Sequence, residues 1–260
     1  MTDYPDGAFA GRPLPAPLTA LRYVAETGST NADLLAEPDG PTGEVLVTDH
    51  QTAGRGRLDR RWEEPAGASI MLSVRLRPAL PPAAWGWLPL IAGIAVVDAV
   101  RAAAPDLACA LKWPNDVLLG PDARKVAGIL AEARGPVAVI GLGCNVGQTA
   151  EQLPVPTATS LALEGVVADR AVVLRDLLTG LAASLAALEA TGGDAVAAGI
   201  HADYTARCAT LHREVTVTRP HDVLTGRAAR IDPRAGLVLA TAAGETTVLA
   251  GDITHLRPVV

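Results

Sequence analysis

Two lysines attract attention because the chain contains almost no others. Of the 22 Lys and Arg residues, only Lys112 and Lys125 are lysine. A lysine ammonium on its slender stem can reach one charged atom, whereas an arginine guanidinium presents a wide planar fork. In a chain that takes nearly all its positive charge from arginine, the two lysines are therefore candidates for a chemical role. The alternative is chance, since two residues support no statistics.

A segment rich in glycine and arginine, residues 51–62, follows a predicted strand. It reads QTAGRGRLDRRW and carries four arginines against one aspartate. Glycine lets a ligand approach the backbone closely, and guanidinium groups match the oxygens of phosphates and carboxylates. The segment predicts a local anion site, with a solvated surface loop as the alternative. Its last residue, Trp62, could stack on a base or bury its ring in the core.

Lys112 opens a second motif, Lys-Trp-Pro-Asn-Asp, at the end of a predicted strand. The proline ends that strand, and Asn115 and Asp116 form the turn before the next one. A lysine, an amide and a carboxylate presented together could hold a magnesium–phosphate unit. The same residues would also make an ordinary hairpin corner, and that alternative stays open at this point.

Two further strands carry glycines in unusual places. Lys125 precedes a strand in which Gly128 indicates close approach by something else. Residues 141–147 read GLGCNVG and resemble a dinucleotide fingerprint, but the third glycine comes one residue late and no helix pattern follows. Dinucleotide binding of that kind is therefore rejected. Asn145 could read an adenine edge or merely adopt a left-handed turn conformation.

The overall composition limits the function further. The chain has 260 residues, of which 49% are hydrophobic and 19% charged, enough to build a sizeable core. A net charge of −6 argues against a protein whose main partner is a nucleic-acid backbone. Three cysteines without CxxC spacing indicate neither disulfides nor a zinc cluster, and a reducing cytoplasm fits best. The longest apolar stretch, residues 83–97, is too short to span a membrane and predicts a buried helix.

The elements that would position these motifs form a mixed sheet. Predicted strands cover residues 21–26, 44–50, 69–77, 109–112, 117–119, 126–132 and 137–142. Predicted helices cover residues 30–36, with Thr30 as the cap, then 83–103, 169–189 and 194–208. From residue 211 onward, four short alternating runs are typical of a small barrel. We therefore predict an α/β (α+β) chain with a lead-in at 1–19, a larger mixed-sheet domain at 20–210 and a barrel at 211–260.

Taken in order, five motifs resemble those of biotin protein ligases. They are Ser29-Thr30-Asn31, residues 51–62, residues 112–116, residues 125–132 and residues 141–145. The resemblance spans about residues 20–208, and the tail resembles the small SH3-like C-terminal barrel of that family. It implies a class II synthetase-like catalytic domain built on a mixed sheet. It also implies that biotin and ATP give biotinyl-5′-AMP, with Mg²⁺, and that biotin then passes to a lysine of a biotin carboxyl carrier protein.

The resemblance assigns roles to three groups of side chains. The catalytic cations would be Lys125, Arg55 and Arg57. Biotin would contact Ser29, Thr30, Asn31, Gln51, Gly54, Arg55, Gly56, Arg57, Lys125 and Gly128. ATP would contact Arg55, Arg57, Trp62, Lys112, Asn115, Asp116 and Asn145, and Asp116 would also reach Mg²⁺ through phosphate. Such a set is physically reasonable, because a carboxylate can meet a triphosphate only where fixed cations screen their repulsion.

Other functions remain open from the sequence. One is a lipoate ligase or octanoyl transferase of the same superfold, for which Cys144 is the motif-embedded cysteine; the arginine-rich loop disfavours it. Another is a non-catalytic biotin- or nucleotide-binding module. Leu58-Asp59 replaces a glycine or basic residue of many relatives and puts closure of the loop in doubt. The short proline-rich lead-in leaves no room for a DNA-binding domain, so we expect a cytoplasmic ligase with neither DNA nor membrane as a partner.

Overall fold

The chain forms two sheets with helices packed mainly on the larger one. The computed structural model describes residues 4–9, 11–57, 60–62, 64–219 and 221–255. Leu58-Asp59, whose effect on loop closure was in question, lies outside these residues. The seven strands of the large sheet are β1 (Ala20–Thr27), β2 (Glu44–Gln51), β3 (Ser69–Leu76), β4 (Cys109–Lys112), β5 (Asp116–Leu119), β6 (Arg124–Arg134) and β7 (Val137–Asn145).

The large sheet is mixed, and its order brings distant motifs together. Its strands run β1-β2-β3-β7-β6-β5-β4, with β1 and β2 parallel and every other neighbouring pair antiparallel. All residues of β3 and of β7 are buried. Strand β7 is a nearly continuous apolar run, as expected of a strand covered on both faces, whereas β3 also contains two serines and Arg75. The predicted α/β fold class with a mixed sheet is confirmed.

Four α-helices accompany the sheet. They are α1 (Thr30–Ala36), α2 (Trp87–Ala103), α3 (Arg170–Ala190) and α4 (Ile200–Arg207). Helices α2 and α3 pack on each other, and α2 also contacts β4, β5, β6 and β7. By length and composition alone, the helical stretches Pro82–Ala103 and Arg170–Ala190 would also be able to cross a membrane. Both helices place apolar side chains in the core of the protein, and this packing accounts for their apolar composition without a membrane.

Three predicted boundaries were wrong, each for a local reason. The helix cap is Ser29 and not Thr30, since the Ser29 side chain accepts a hydrogen bond from the Ala32 amide. The helix predicted from residue 83 begins with a 3₁₀ turn at Pro82–Ala84, and the α-helix starts at Trp87. The helix predicted over 194–208 is α-helical only from Ile200, because Gly199 has a φ of +76°.

The C-terminal sheet is small, antiparallel and five-stranded. Its strands are β8 (Glu214–Thr218), β9 (Val223–Ile231), β10 (Leu237–Thr241), β11 (Gly244–Val248) and β12 (Asp252–His255), in the order β11-β10-β9-β8-β12. Two buried indoles join it to the rest of the chain. Trp87 Nε1 donates to the Pro233 carbonyl at 2.9 Å, and Trp113 Nε1 donates to the Ala235 carbonyl at 3.0 Å. The sheet therefore sits in a defined position against α2 and the segment after β4.

Candidate active site

A cavity of about 1120 Å³ contains members of all five sequence motifs. The predicted site residues that line it are Ser29, Thr30, Asn31, Gln51, Arg55, Gly56, Arg57, Trp62, Lys112, Asn115, Asp116, Lys125, Gly128 and Asn145. Gly54 is the exception. A Cβ placed there would lie 2.4 Å from the Trp62 carbonyl oxygen, so the close backbone of the loop explains this glycine. The structure does not place Gly54 against a ligand space.

One end of the cavity is lined by the uncharged polar side chains of Ser29, Thr30, Asn31 and Gln51, with Glu132 behind them accepting a hydrogen bond from Asn31 Nδ2 at 2.7 Å. The Thr30 amide and hydroxyl donate to Gln51 Oε1 at 2.9 and 3.1 Å. Ser73 Oγ lies 2.7 Å from Thr30 Oγ1 and 2.6 Å from Asn31 Oδ1. Buried polar groups need such partners, and a connected network fixes their orientation. Ser73 was missed by the sequence analysis because it lies inside a buried strand and belongs to none of the motifs.

The four cations predicted from the motifs all line the cavity. Lys125 Nζ lies 2.5 Å from Asp116 Oδ1, and Lys112 Nζ lies 4.0 Å from Asp116 Oδ2. The register of the sheet explains this arrangement, because Asp116 pairs with Lys112 on β4 and with Gly128 on β6, the strand that carries Lys125. Both lysine side chains keep some exposure to the cavity, 24% for Lys112 and 30% for Lys125.

Arg55 and Arg57 of the glycine–arginine segment complete this group, and Arg60 and Arg61 of the same segment also line the cavity. Arg55 Nη2 lies 3.3 Å from Glu132 Oε1, and Arg57 Nη1 donates to Asn115 Oδ1 at 3.2 Å. Burial lowers the pKa of Arg57, and the nearby Asp252 and Asp116 act in the opposite direction. An arginine lowered from so high a value stays charged near neutral pH. Arg55, Arg57, Lys112 and Lys125 thus surround one space, which is the arrangement that an anion site requires.

Two glycines on neighbouring strands form a floor beneath Trp62. A Cβ at Gly143 would lie 2.5 Å from Trp62 Cε2, and a Cβ at Gly128 would lie 3.0 Å from Trp62 Cζ3. The predicted close approach at Gly128 is confirmed, and the approaching group is the Trp62 side chain. Lys125 Nζ lies 5.6 Å from the centre of this ring, within the range of a cation–π contact.

Asn145 ends β7 and is held by the protein itself. Its Nδ2 donates to the Thr159 carbonyl at 2.9 Å, and its Oδ1 accepts from Gln148 Nε2 at 3.1 Å. It does not adopt a positive φ, so the left-handed turn considered from the sequence is wrong. The residue lines the cavity with its amide already hydrogen-bonded, and its contact with adenine stays a prediction.

A magnesium ion would find few protein ligands here. Among the residues that the structure describes, no three His, Cys, Asp or Glu side chains are grouped to hold a metal. Mg²⁺ is commonly bound by one or two carboxylates together with substrate phosphates. Asp116 Oδ1 is buried in an ion pair with Lys125 but accepts no hydrogen bond of good geometry. Asp116 therefore fits a metal that arrives with phosphate, and it does not fit an all-protein cage.

The C-terminal sheet contributes part of the cavity wall, which the sequence analysis missed. Arg213, Asp252, Thr254 and His255 line the cavity. Arg60 of the glycine–arginine segment forms an ion pair with Asp252 at 2.7 Å. Burial, and then the positive charges of Lys112 and Arg213, lower the pKa of His255 to about 4. The C-terminal sheet is therefore part of the site.

Cys144 is unsuited to thioester chemistry. Its side chain is fully buried on β7, and burial raises its pKa to about 12. The thiolate is the nucleophilic form of cysteine, and so buried a thiol stays protonated near neutral pH. The geometry thus disfavours the octanoyl transferase considered from the sequence.

Comparison with known proteins agrees with the geometry. Residues 22–147 match the biotin/lipoate A/B protein ligase family, and residues 210–256 match the biotin protein ligase C-terminal domain. A biotin–[acetyl-CoA-carboxylase] ligase of Mycobacterium tuberculosis is 44% identical, covering 91% of this chain and 89% of the relative. A ligase of the same name from Paracoccus denitrificans is 32% identical, covering 88% of this chain and 98% of the relative.

A solved structure has the same fold over nearly its whole length. The biotin protein ligase of Aquifex aeolicus, in complex with biotin and ATP, superposes with a TM-score of 0.77 at 27% identity, covering 92% of this chain and 99% of that one. The chain belongs to the biotin/lipoate protein ligase family. Within that family it groups with the biotin–[acetyl-CoA-carboxylase] ligases, because the relatives matched over most of their length carry that name.

Proposed function

We propose that this protein is an ATP-dependent biotin protein ligase that acts in two steps. It joins biotin to AMP and then transfers biotin to a lysine of a carrier domain. The observation that carries the proposal is the convergence of Lys125, Lys112, Arg55 and Arg57 on one cavity, beside an uncharged polar end. Family membership supplies the substrates, and this geometry supplies a reason why two anions would meet here.

In the first step, the biotin carboxylate attacks the α-phosphorus of ATP. A bond forms between a carboxylate oxygen and that phosphorus, and the bond to pyrophosphate breaks. The uncharged polar end, which contains Ser29, Thr30, Asn31 and Gln51, is suited to the ureido group of biotin. Lys125 and the loop arginines then lie where carboxylate and phosphate meet. Cations fixed in advance stabilise the developing charge without reorganising during the reaction.

Magnesium enters this proposal as the partner of the triphosphate. Asp116, with Asn115 beside it, is the carboxylate in position to receive a phosphate-bound ion, and such an ion would reduce the charge on the leaving pyrophosphate. Trp62 and Asn145 are assigned to the adenine end. Omitting Mg²⁺, or adding an excess of EDTA, is expected to abolish formation of the adenylate. An unchanged yield would remove the metal from the proposal.

In the second step, a neutral amine of the carrier lysine attacks the acyl carbon of the adenylate. The new bond is an amide, the bond to AMP breaks, AMP leaves with the electron pair of that bond, and the proton lost by the amine passes to water. The proposed acceptor is the biotin carboxyl carrier domain of an acetyl-CoA carboxylase. We also propose that the protein acts in the cytoplasm, and that neither DNA nor a membrane is a partner.

The test uses purified protein with ATP, Mg²⁺, biotin and an apo carrier domain. We expect one biotin per carrier by mass spectrometry, and biotinyl-5′-AMP alone when the carrier is omitted. A carrier whose acceptor lysine is replaced by arginine serves as the control and should gain no mass. Lipoate in place of biotin should give no transfer. A carrier that gains no mass under saturating conditions, or that accepts lipoate equally well, would overturn the proposal.

A further inference from the structure

Glu64 is a carboxylate in the wall of the cavity, beside Trp62. Its Oε1 accepts a hydrogen bond from Trp62 Nε1 at 2.7 Å. We propose that Glu64 is a positioning residue, which fixes the plane of the Trp62 ring so that the ring can stack on the purine of ATP. The stacking part of this inference rests on the proposed function, whereas the Glu64–Trp62 contact does not.

The glycine floor makes the orientation of the ring critical. Trp62 fits against Gly143 and Gly128 only because neither residue has a side chain. An indole has two broad χ2 orientations, and the N–H points in different directions in the two. A hydrogen bond to a fixed acceptor selects the one in which the ring meets the floor. Glu64 is two residues after Trp62, close enough to act without help from another element.

The surroundings of Glu64 hold its carboxylate in place. Its Oε2 lies 3.4 Å from Gln148 Nε2, and Gln148 in turn hydrogen-bonds to Ser69 and to Asn145 Oδ1. Ser69, Gln148 and Asn145 are all buried. The acceptor of the indole N–H is therefore anchored to the ends of β3 and β7. Strand β7 carries Gly143 of the floor and β3 is its neighbour in the sheet, so ring, floor and acceptor form one unit.

The choice of a carboxylate matters because its hydrogen-bond partners in the described part of the chain are neutral: the Trp62 indole, the Gln148 amide and the Ser69 hydroxyl. Burial raises the pKa of Glu64 to about 7. When Glu64 is ionised, its hydrogen bond from the Trp62 indole is charge-assisted and therefore stronger than a bond to a neutral acceptor. A side chain that only filled space at position 64 would not need to be an acid, so the carboxylate indicates a role in hydrogen bonding to Trp62.

A double-mutant cycle on the ATP dependence tests the positioning role. At pH 8, with saturating biotin and Mg²⁺, Glu64→Ala is expected to raise the KM for ATP about fivefold to tenfold, with a smaller change in kcat. Glu64→Gln keeps an acceptor oxygen and should recover most of that loss. In a Trp62→Phe background, where no indole N–H exists, Glu64→Ala should change KM less than about twofold. Equal penalties in both backgrounds, or an unchanged KM for Glu64→Ala, would overturn the proposal.

A second measurement needs no activity. The fluorescence of Trp62 is obtained as the difference between a protein and its Trp62→Phe variant, since the chain has four tryptophans. Acrylamide should quench this difference signal more strongly in Glu64→Ala than in the wild type or Glu64→Gln. Equal quenching in all three proteins would contradict the inference. If the wild type makes no adenylate, the proposed function fails, and the quenching result still decides whether Glu64 positions Trp62.

Discussion

Arg75 and Lys125 lie on strands of the same sheet and both pair with a carboxylate, yet their surroundings differ completely. Arg75 is fully buried, pairs with Glu44 and donates to the Leu34 carbonyl at 3.0 and 3.2 Å. Lys125 pairs with Asp116 but keeps 30% of its side chain exposed in the cavity. A cation whose donors are all used inside the protein holds the fold together. A cation such as Lys125, whose side chain is partly exposed in a cavity, can also bind a ligand there.

Removing the cavity cation gives the largest expected effect on chemistry. In Lys125→Ala, formation of biotinyl-5′-AMP should fall at least about 1000-fold, because carboxylate and phosphate then meet without their nearest fixed cation. The free energy of unfolding in urea should fall by only about 1–2 kcal/mol, because Lys112 stays near Asp116 when its buried oxygen loses Lys125. Single-turnover assays measure the first quantity, and Lys112→Ala serves as the matched control with a smaller loss. Adenylate formation that survives in Lys125→Ala would mean that the catalytic cation is misplaced.

Removing the buried cation should have the opposite outcome. Arg75→Ala leaves Glu44 buried with less compensation, and we expect the free energy of unfolding to fall by about 3–5 kcal/mol. The activity per folded molecule should stay close to that of the wild type. Urea unfolding followed by circular dichroism measures this loss. As a control, Arg230→Ala breaks an exposed pair with Glu245 and should leave the free energy of unfolding unchanged. A stable but inactive Arg75→Ala protein would break the comparison.

Glu64 is less buried than Arg75, and its ionisation should make the free energy of unfolding depend on pH. Below about pH 4.5 it is protonated in both folded and unfolded chains; above that, the unfolded chain releases the proton while the folded chain retains it up to about pH 7. The wild type should therefore lose stability relative to Glu64→Gln as pH rises through this window, by about 2–3 kcal/mol. Urea unfolding of both proteins at pH 4.5 and 7.5 gives the difference. No pH dependence in that difference would show that the carboxylate is solvated.

His255 offers the control of opposite sign. Its pKa is lowered to about 4, so it stays neutral in the folded chain while the unfolded chain takes up a proton below about pH 6.5. The wild type should lose stability relative to His255→Gln as pH falls from 6.5 to 4. The same titrations measure both residues. If the stability difference between the wild type and the Gln variant changed with pH in the same direction for Glu64 and His255, the surroundings assigned to one of them would be wrong.

The smallest expected effect concerns the glycine–arginine segment. Arg57→Gly removes a cation that contacts Asn115, and we expect release of the preformed adenylate to become about tenfold faster. A chase of radiolabelled biotinyl-5′-AMP by filter binding measures the rate. Arg60→Ala, which breaks the pair with Asp252 at the other side of the loop, tests whether the C-terminal sheet helps to retain the intermediate. Unchanged release in Arg57→Gly would show that the loop is not a lid.

The sequence predicted the elements that depend on local patterns. Alternation and buried apolar runs located the strands, and the motifs carried most of the cavity residues. The alanine-rich stretch before α4 was wrongly predicted as helix, because Asp194 accepts hydrogen bonds from the amides of Val196 and Ala197 and forms a turn instead. Composition alone does not distinguish these two outcomes.

The residues missed at the site share a physical cause. Ser73, Glu64, Asp252 and His255 enter the cavity wall or its network through contacts with distant parts of the chain, or through one hydrogen bond to a neighbouring side chain. No spacing marks such contacts in the sequence. A pairing of Asp252 with Arg60, in particular, needs the C-terminal sheet to be docked first.

Strand β12 ends at His255, and Asp252, Thr254 and His255 of this strand line the cavity together with residues of the large sheet. A change that displaces the C-terminal sheet would therefore also remove part of the cavity wall. A fragment that stops at residue 210 would lack this wall, so ligand affinities measured on such a fragment would not describe the cavity formed by all 260 residues.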